Sequence, residues 1–181
     1  MKMQTFLSLS LALGLLPTLA SAAVILNGKP SSKVTAHVTR PNNLFVTDDK
    51  GGWFDQGLEM QQLGGWDTPY KVDARLRVVS SSGLFQVRLD EPLQIRNQAN
   101  PTLVFRTPEV RFGAEGENQK VLAVGQGTEF RSPAPPAEGE DSVGYYGLAI
   151  SAYPPDGNFK NTVGIYSGVL SLTFEPVVKA P

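Results

Sequence analysis

The chain has 181 residues, with 16 basic and 17 acidic side chains, a formal charge of −1, one histidine and no cysteine. The near-neutral balance excludes the basic face that nucleic acid demands, so no nucleic-acid partner is expected. The missing cysteine and the single histidine exclude disulfide staples, Cys–His pairs, His-based triads and multi-His zinc sites.

The N-terminus reads as an export signal. Lys2 precedes an apolar run over residues 6–16 that is too short to span a bilayer. Pro17 breaks the run, and Ala20-Ser21-Ala22 is a small-residue cleavage site, so residues 1–22 are expected to be removed. Residues 23–41 form an N-terminal extension, a tail containing Asn27-Gly28-Lys29-Pro30 followed by one strand. In that strand Val34, Ala36 and Val38 alternate with Thr35, His37 and Thr39, and Arg40-Pro41-Asn42-Asn43 stops it. A separate strand at an exported N-terminus can fold back on its own sheet or add to the sheet of a neighbour.

Residues 42–181 read as one all-β domain. Gly51-Gly52-Trp53 and Gly64-Gly65-Trp66 come first, each with an Asp close behind. Trp53 and Trp66 could stack on a sugar, or they could cap the core or lie at a subunit contact; the pattern weighs toward the second reading. Tyr70, Val72, Ala74, Leu76 and Val78 alternate with Lys71, Asp73, Arg75 and Arg77. After the turn Ser80-Ser81-Ser82-Gly83, Phe85, Val87 and Leu89 alternate with polar residues. Leu103 with Phe105, Val110 with Phe112, and residues 121–124 predict short strands. Residues 132–142, with three prolines and Glu138, Glu140 and Asp141, predict a loop. Tyr146, Leu148, Ile150 and Ala152 make a longer strand closed by Pro154-Pro155-Asp156-Gly157. Residues 164–174 read as one last strand, with Tyr166, Gly168, Leu170, Leu172 and Phe174 on one side and Ser167, Val169, Ser171 and Thr173 on the other. No segment has a sustained helical period. Many short strands separated by Gly and Pro predict a β-sandwich.

Nothing in the chain predicts enzyme chemistry. Asp48-Asp49 and Asp90-Glu91 are adjacent pairs near turns, whose side chains point to opposite faces of a strand and read as solvated carboxylates. No spaced oxygen cluster suits calcium, residues 138–141 read as a solvated loop, and His37 reads as an exposed strand residue. No metal and no cofactor is expected. Two functions remain open from the residues: a subunit of a structural polymer, or an exported monomeric sandwich that binds carbohydrate or protein.

A family resemblance bears on that choice. Phe85-Gln86-Val87-Arg88-Leu89, then Pro92-Leu93, Asn100-Pro101-Thr102-Leu103, a glycine hairpin at residues 113–116 and Val121-Leu122 resemble the middle of the alpha-type, or class 5, chaperone–usher fimbrial major subunits. That family includes the colonisation-factor fimbriae and the cable pilus. Tyr166-Ser167-Gly168-Val169-Leu170-Ser171-Leu172 resembles its closing strand, and Val34-Thr35-Ala36-His37-Val38 is similar to its N-terminal donor strand. The resemblance implies an immunoglobulin-like sandwich that lacks one strand and is completed by a donor strand from a neighbouring subunit. It implies a shaft subunit of a surface fimbria serving adhesion or biofilm, polymerising with itself and exported through the periplasm. The implied partners are a periplasmic chaperone, an outer-membrane usher, a tip adhesin and a host or abiotic surface receptor. Val34, Ala36 and Val38 would be the donor side chains, with Val24 or Leu26 as possible additions. Tyr166, Leu170, Leu172 and Phe174 would lie beside the acceptor groove.

N-terminal sequencing of the processed protein is expected to begin at Ala23. A start many residues away would remove the cleavage-site reading.

Overall fold

Among the described residues, most of the alternating segments form strands. The computed structural model describes residues 43–52, 54, 57–65 and 67–177. In chain order the elements are β1 (Leu44–Asp48), β2 (Tyr70–Ser80), β3 (Leu84–Leu89), β4 (Arg96–Asn97), β5 (Arg106–Ala114), β6 (Lys120–Val121), β7 (Gly127–Arg131), β8 (Ser142–Tyr153), the short helix α1 (Phe159–Thr162), β9 (Tyr166–Ser167) and β10 (Leu172–Pro176). The larger sheet has the order β1-β2-β8-β5-β6, the facing sheet the order β10-β3-β7, and β4 pairs with β9 in a small ribbon. All named pairings are antiparallel.

This is an immunoglobulin-like sandwich. In chain order β1, β2, β5 and β8 stand as strands A, B, D and E, and the sheet order is A-B-E-D. In the facing sheet β3 stands as C and β10 as F. A tyrosine corner supports the match: Tyr166 Oη donates 2.6 Å to the carbonyl of Thr162, four residues upstream, on the approach to β10.

The core lies between the two sheets and is aromatic. Phe112 on β5 lies between ring neighbours from both sheets: Phe85 at 6.4 Å, Phe130 at 4.9 Å, Tyr146 at 5.3 Å and Phe174 at 5.7 Å. Phe112 and Phe85 are fully buried. The Tyr146 hydroxyl finds its partner in the carbonyl of Arg131 at 2.9 Å, which lets a phenol sit in an apolar core.

One side of the sandwich is sealed by the chain itself. Between β6 and β7 the backbone crosses from one sheet to the other, with Leu122 N–H donating to Val110 and Gly125 N–H to Leu89. Leu122 is buried there, and Val124 bridges Leu89. Of the predicted run, Val121 ends the two-residue β6, and residues 122–124 are a crossover and not a continuation of that strand. Leu103 and Phe105 also fall outside a strand: Phe105 is buried and its N–H donates to Ile95, while β5 begins at Arg106.

We expect Phe112→Ala to lower the unfolding free energy by about 3–5 kcal/mol, the cost of a large cavity in a close-packed core. Urea denaturation checks it; a loss under ~1 kcal/mol would mean that the aromatic cluster does not carry the packing.

Candidate functional site

The other side of the sandwich is where the sheets end on β1 and β10. These two edge strands approach each other but do not pair. The seam between them is the candidate site.

The position of β10 is set by the segment before it. Residues 164–174 do not form one strand. Tyr166 and Ser167 pair with Asn97 and Arg96, and the chain then crosses to the facing sheet, where Leu172 begins a new pairing with Leu89. Gly168 permits the crossing: a Cβ there would sit 2.5 Å from the carbonyl oxygen of Gln94 and 3.1 Å from Ile95 Cγ1. Tyr166 and Leu170 are half-buried and Leu172 and Phe174 are buried, whereas Gly168, expected on the same face, is exposed.

Asp90 fastens the entry to β10. Its backbone N–H donates to the Ser171 carbonyl at 3.0 Å. Its Oδ2 accepts from Ser171 Oγ at 2.8 Å and Thr173 Oγ1 at 2.9 Å, and its Oδ1 from Arg88 Nε at 3.2 Å. Burial pushes this carboxyl up, but the hydrogen bonds from Ser171, Thr173 and Arg88 outweigh it and hold it below the usual carboxylate range. Asp90 is therefore not a free turn carboxylate. Asp48 is a turn former: its Oδ1 accepts from the N–H groups of Lys50 and Gly52, each at 2.9 Å.

The outer edge of β10 is open among the described residues. Asp90 N–H bonds Ser171, and Val177 N–H bonds Leu84 at 3.0 Å, so the odd-numbered residues of this segment face β3. By antiparallel alternation the N–H and C=O groups of Leu172 and Phe174 point the other way, where no described strand meets them. Pro176, which lacks an N–H, continues the same edge. On β1, Asn43 accepts from Ser81 N–H, so Leu44 and Val46 likewise direct their backbone groups outward. In an immunoglobulin-like sandwich the outer edge of strand F is the place of strand G. No described residue occupies it.

Incomplete burial is concentrated at this seam. The half-buried apolar side chains packed on the core include Val46 of β1, Phe54, Leu58 and Met60 of the β1–β2 connection, Val72 and Ala74 of lower β2, and Leu170 before β10. Beyond these, Tyr70 and Tyr166 lie at the lower end and only Ala114 belongs to β5.

The sequence profile of the CS1 type fimbrial major subunits matches residues 31–175. The chain belongs to this family. The protein is thus a structural subunit of a surface fimbria, which decides between the two functions the residues had left open. No curated protein matches the chain. Among solved structures, the CooA pilin subunit from enterotoxigenic Escherichia coli is similar, with a TM-score of 0.47 and 14% identity over 75% of this chain and 99% of that one.

Several sequence-predicted residues lie outside the described residues: Val34, Ala36 and Val38 of the expected donor strand, Val24, Leu26, His37, and both Trp53 and Trp66. The two Gly-Gly segments are turns, one built on Asp48 and one closed by Thr68 donating to the Gly65 carbonyl. Among the described residues, no group of three or more His, Cys, Asp or Glu could hold a metal ion. The latch at Asp90 was not read from the sequence as such. Its signal was the polar face Ser171 and Thr173 opposite the apolar face of the last strand.

Because the folded-state pKa of Asp90 is depressed, its contribution is present at neutral pH and lost as pH falls through the folded value. Acid should loosen β10 first. We expect Asp90→Asn to cost about 1–3 kcal/mol at pH 7 and to flatten the decline of stability below about pH 4. Unfolding curves across pH, with amide exchange at Leu172 and Phe174, check this. An unchanged acid limb in the variant would remove the latch.

Proposed function

We propose that this fimbrial subunit polymerises by donor-strand exchange, the extension of one subunit completing the sandwich of the next. The observation that carries the reading is the seam: backbone groups on Leu172 and Phe174 that no described strand meets, flanked by half-buried apolar side chains. An open edge of this kind invites strand addition and is a hazard while uncovered. A strand laid beside β10 would complete the backbone ladder and bury alternate side chains in the gap.

The residues that fit are Val34, Ala36 and Val38, one face of the strand in the 23–41 extension. Residues 1–22 act as the export signal, and the subunit passes through the periplasm to the cell surface. A periplasmic chaperone fills the seam first, and an outer-membrane usher exchanges it for the donor of the next subunit. A tip adhesin, not this chain, would end the filament, and a host or abiotic surface would be its target. With no disulfide available, strand insertion supplies the stability of the joint, roughly 2 kcal/mol for each fully buried valine-sized side chain.

The test is a pair of substitutions on opposite faces. Ala36→Asp would place a carboxylate in an apolar gap of the neighbour at a cost of several kcal/mol, and filament yield should fall by at least about tenfold. The mutant subunit keeps its own seam and should still accept a wild-type donor. Thr35→Asp, on the other face, should leave yield within about twofold. Equal loss from both, or no loss from Ala36→Asp, would remove the donor assignment.

A further inference from the structure

The two ends of the sandwich carry separate exposed apolar patches. At the upper end, Phe45, Val79 and Val143 stand directly across from one another on three adjacent strands of the larger sheet, on its outer face. Phe45 is 50% exposed and Val143 38%. At the lower end, Phe159 and Val163 lie one turn apart at α1, and Ile165 follows them; they are 72%, 62% and 71% exposed. Side chains of this size left in water on a monomer mark a contact surface.

We infer that these patches meet: the lower end of one subunit docks on the upper end of the next, a head-to-tail contact additional to the inserted strand. The occupant of each patch is thus a second copy of this chain. The inference rests on the donor-strand reading, and three observations point to it.

The first is chain length. Residues 39–43 join the donor strand to β1 and can span at most about 17 Å. The neighbour must therefore sit close to Asn43, whose backbone is bonded to Ser81 at the upper end, beside the Phe45 row.

The second is the direction of the seam. β10 runs upward, from Leu172 opposite Leu89 to Pro176 opposite Phe85. A donor antiparallel to it, as strand G is to strand F, runs downward and leaves the seam at its lower end. The donor's own body then lies beneath, with its upper end against the α1 region. Each joint brings unlike ends together, which makes a heterologous contact and an open filament.

The third is charge. The loop after β7, tied to the upper end by Ser132 N–H donating to Gly83, carries exposed Glu138 and Glu140. The lower end carries exposed Lys160 and Arg96, neither ion-paired with a described residue. Exposed Glu91 and the Arg106–Asp156 ion pair lie at the lower end as well, and Lys160 and Arg96 are the cations there that Glu138 and Glu140 can meet, which favours the unlike pairing.

The chain has no cysteine, so an introduced thiol is unique. Phe45→Cys, Phe159→Cys and, as a mid-sheet control, Asp73→Cys would be labelled with a maleimide in the full-length unassembled subunit and in filaments. At positions 45 and 159 labelling should be at least about tenfold slower in filaments, because a packed interface excludes solvent, while the control changes less than about twofold. Mild oxidation of filaments carrying both Phe substitutions in one chain should give a disulfide-linked ladder, and either substitution alone should give none. Val143→Cys and Val163→Cys serve as the second pair should either Phe variant fail to assemble. Unchanged labelling at both ends overturns the contact, and so does cross-linking of Phe45→Cys chains to one another, which would mean like meeting like. Filaments that form after deletion of residues 33–38 would instead overturn the donor-strand reading, while the labelling rates still report on the two ends.

Discussion

Among the described residues, the edge of the smaller sheet at β10 has no strand beside it, and β10 is bonded along one side only, to β3. On its other side the peptide groups of Leu172 and Phe174 meet no described strand. An unmet peptide group costs free energy wherever water is kept from it. Everything around β10 is arranged so that this edge stays straight, correctly placed and flanked by apolar surface. The opposite side shows the alternative: there the β6–β7 crossover carries the backbone from sheet to sheet and buries Leu122 over the gap.

Two local devices hold the open edge in place. Gly168 lets the chain cross against the Gln94 carbonyl, so that Tyr166 can serve the small ribbon while Leu172 starts the facing sheet. Asp90 then gathers Ser171, Thr173 and Arg88 around one carboxylate. A charged acceptor with hydroxyl donors is stronger than a neutral pair, and here it fixes the first residues of a strand that has a described neighbour on only one side. The bonds lie on the outward face of β10, leaving Leu172 and Phe174 free to enter the core.

The core is correspondingly uneven. Phe112 and four aromatic rings around it, drawn from both sheets, lock together. Towards the seam the packing ends in half-buried side chains such as Val46, Leu58 and Leu170. On the proposed reading, a strand inserted beside β10 would add to this burial and would couple the stability of the domain to its assembly.

Strand faces were legible in the sequence because inward and outward positions alternate along a single strand. Leu76 and Val78, Phe85 and Val87, Leu148 and Ile150, and Leu172 and Phe174 all face the core as their spacing indicated. Besides the two-residue β4, two strands escaped for the same reason. β1 carries apolar residues on both faces, Phe45 outward and Leu44 inward, and β7 buries only Phe130, so neither shows a clean period. Which strand pairs with which was not written in any alternation, because backbone groups are alike in every residue and partner choice depends on the packing of the whole sandwich. The break at Gly168 belongs to the same class: the alternation continues from Tyr166 to Phe174, and only the fold shows that the chain changes sheets between them, passing the Gln94 carbonyl where a Cβ would not fit. The sequence alone determined an all-β domain with its inward faces; the tertiary structure decided which edge stays open, since an edge exists only relative to the strands around it.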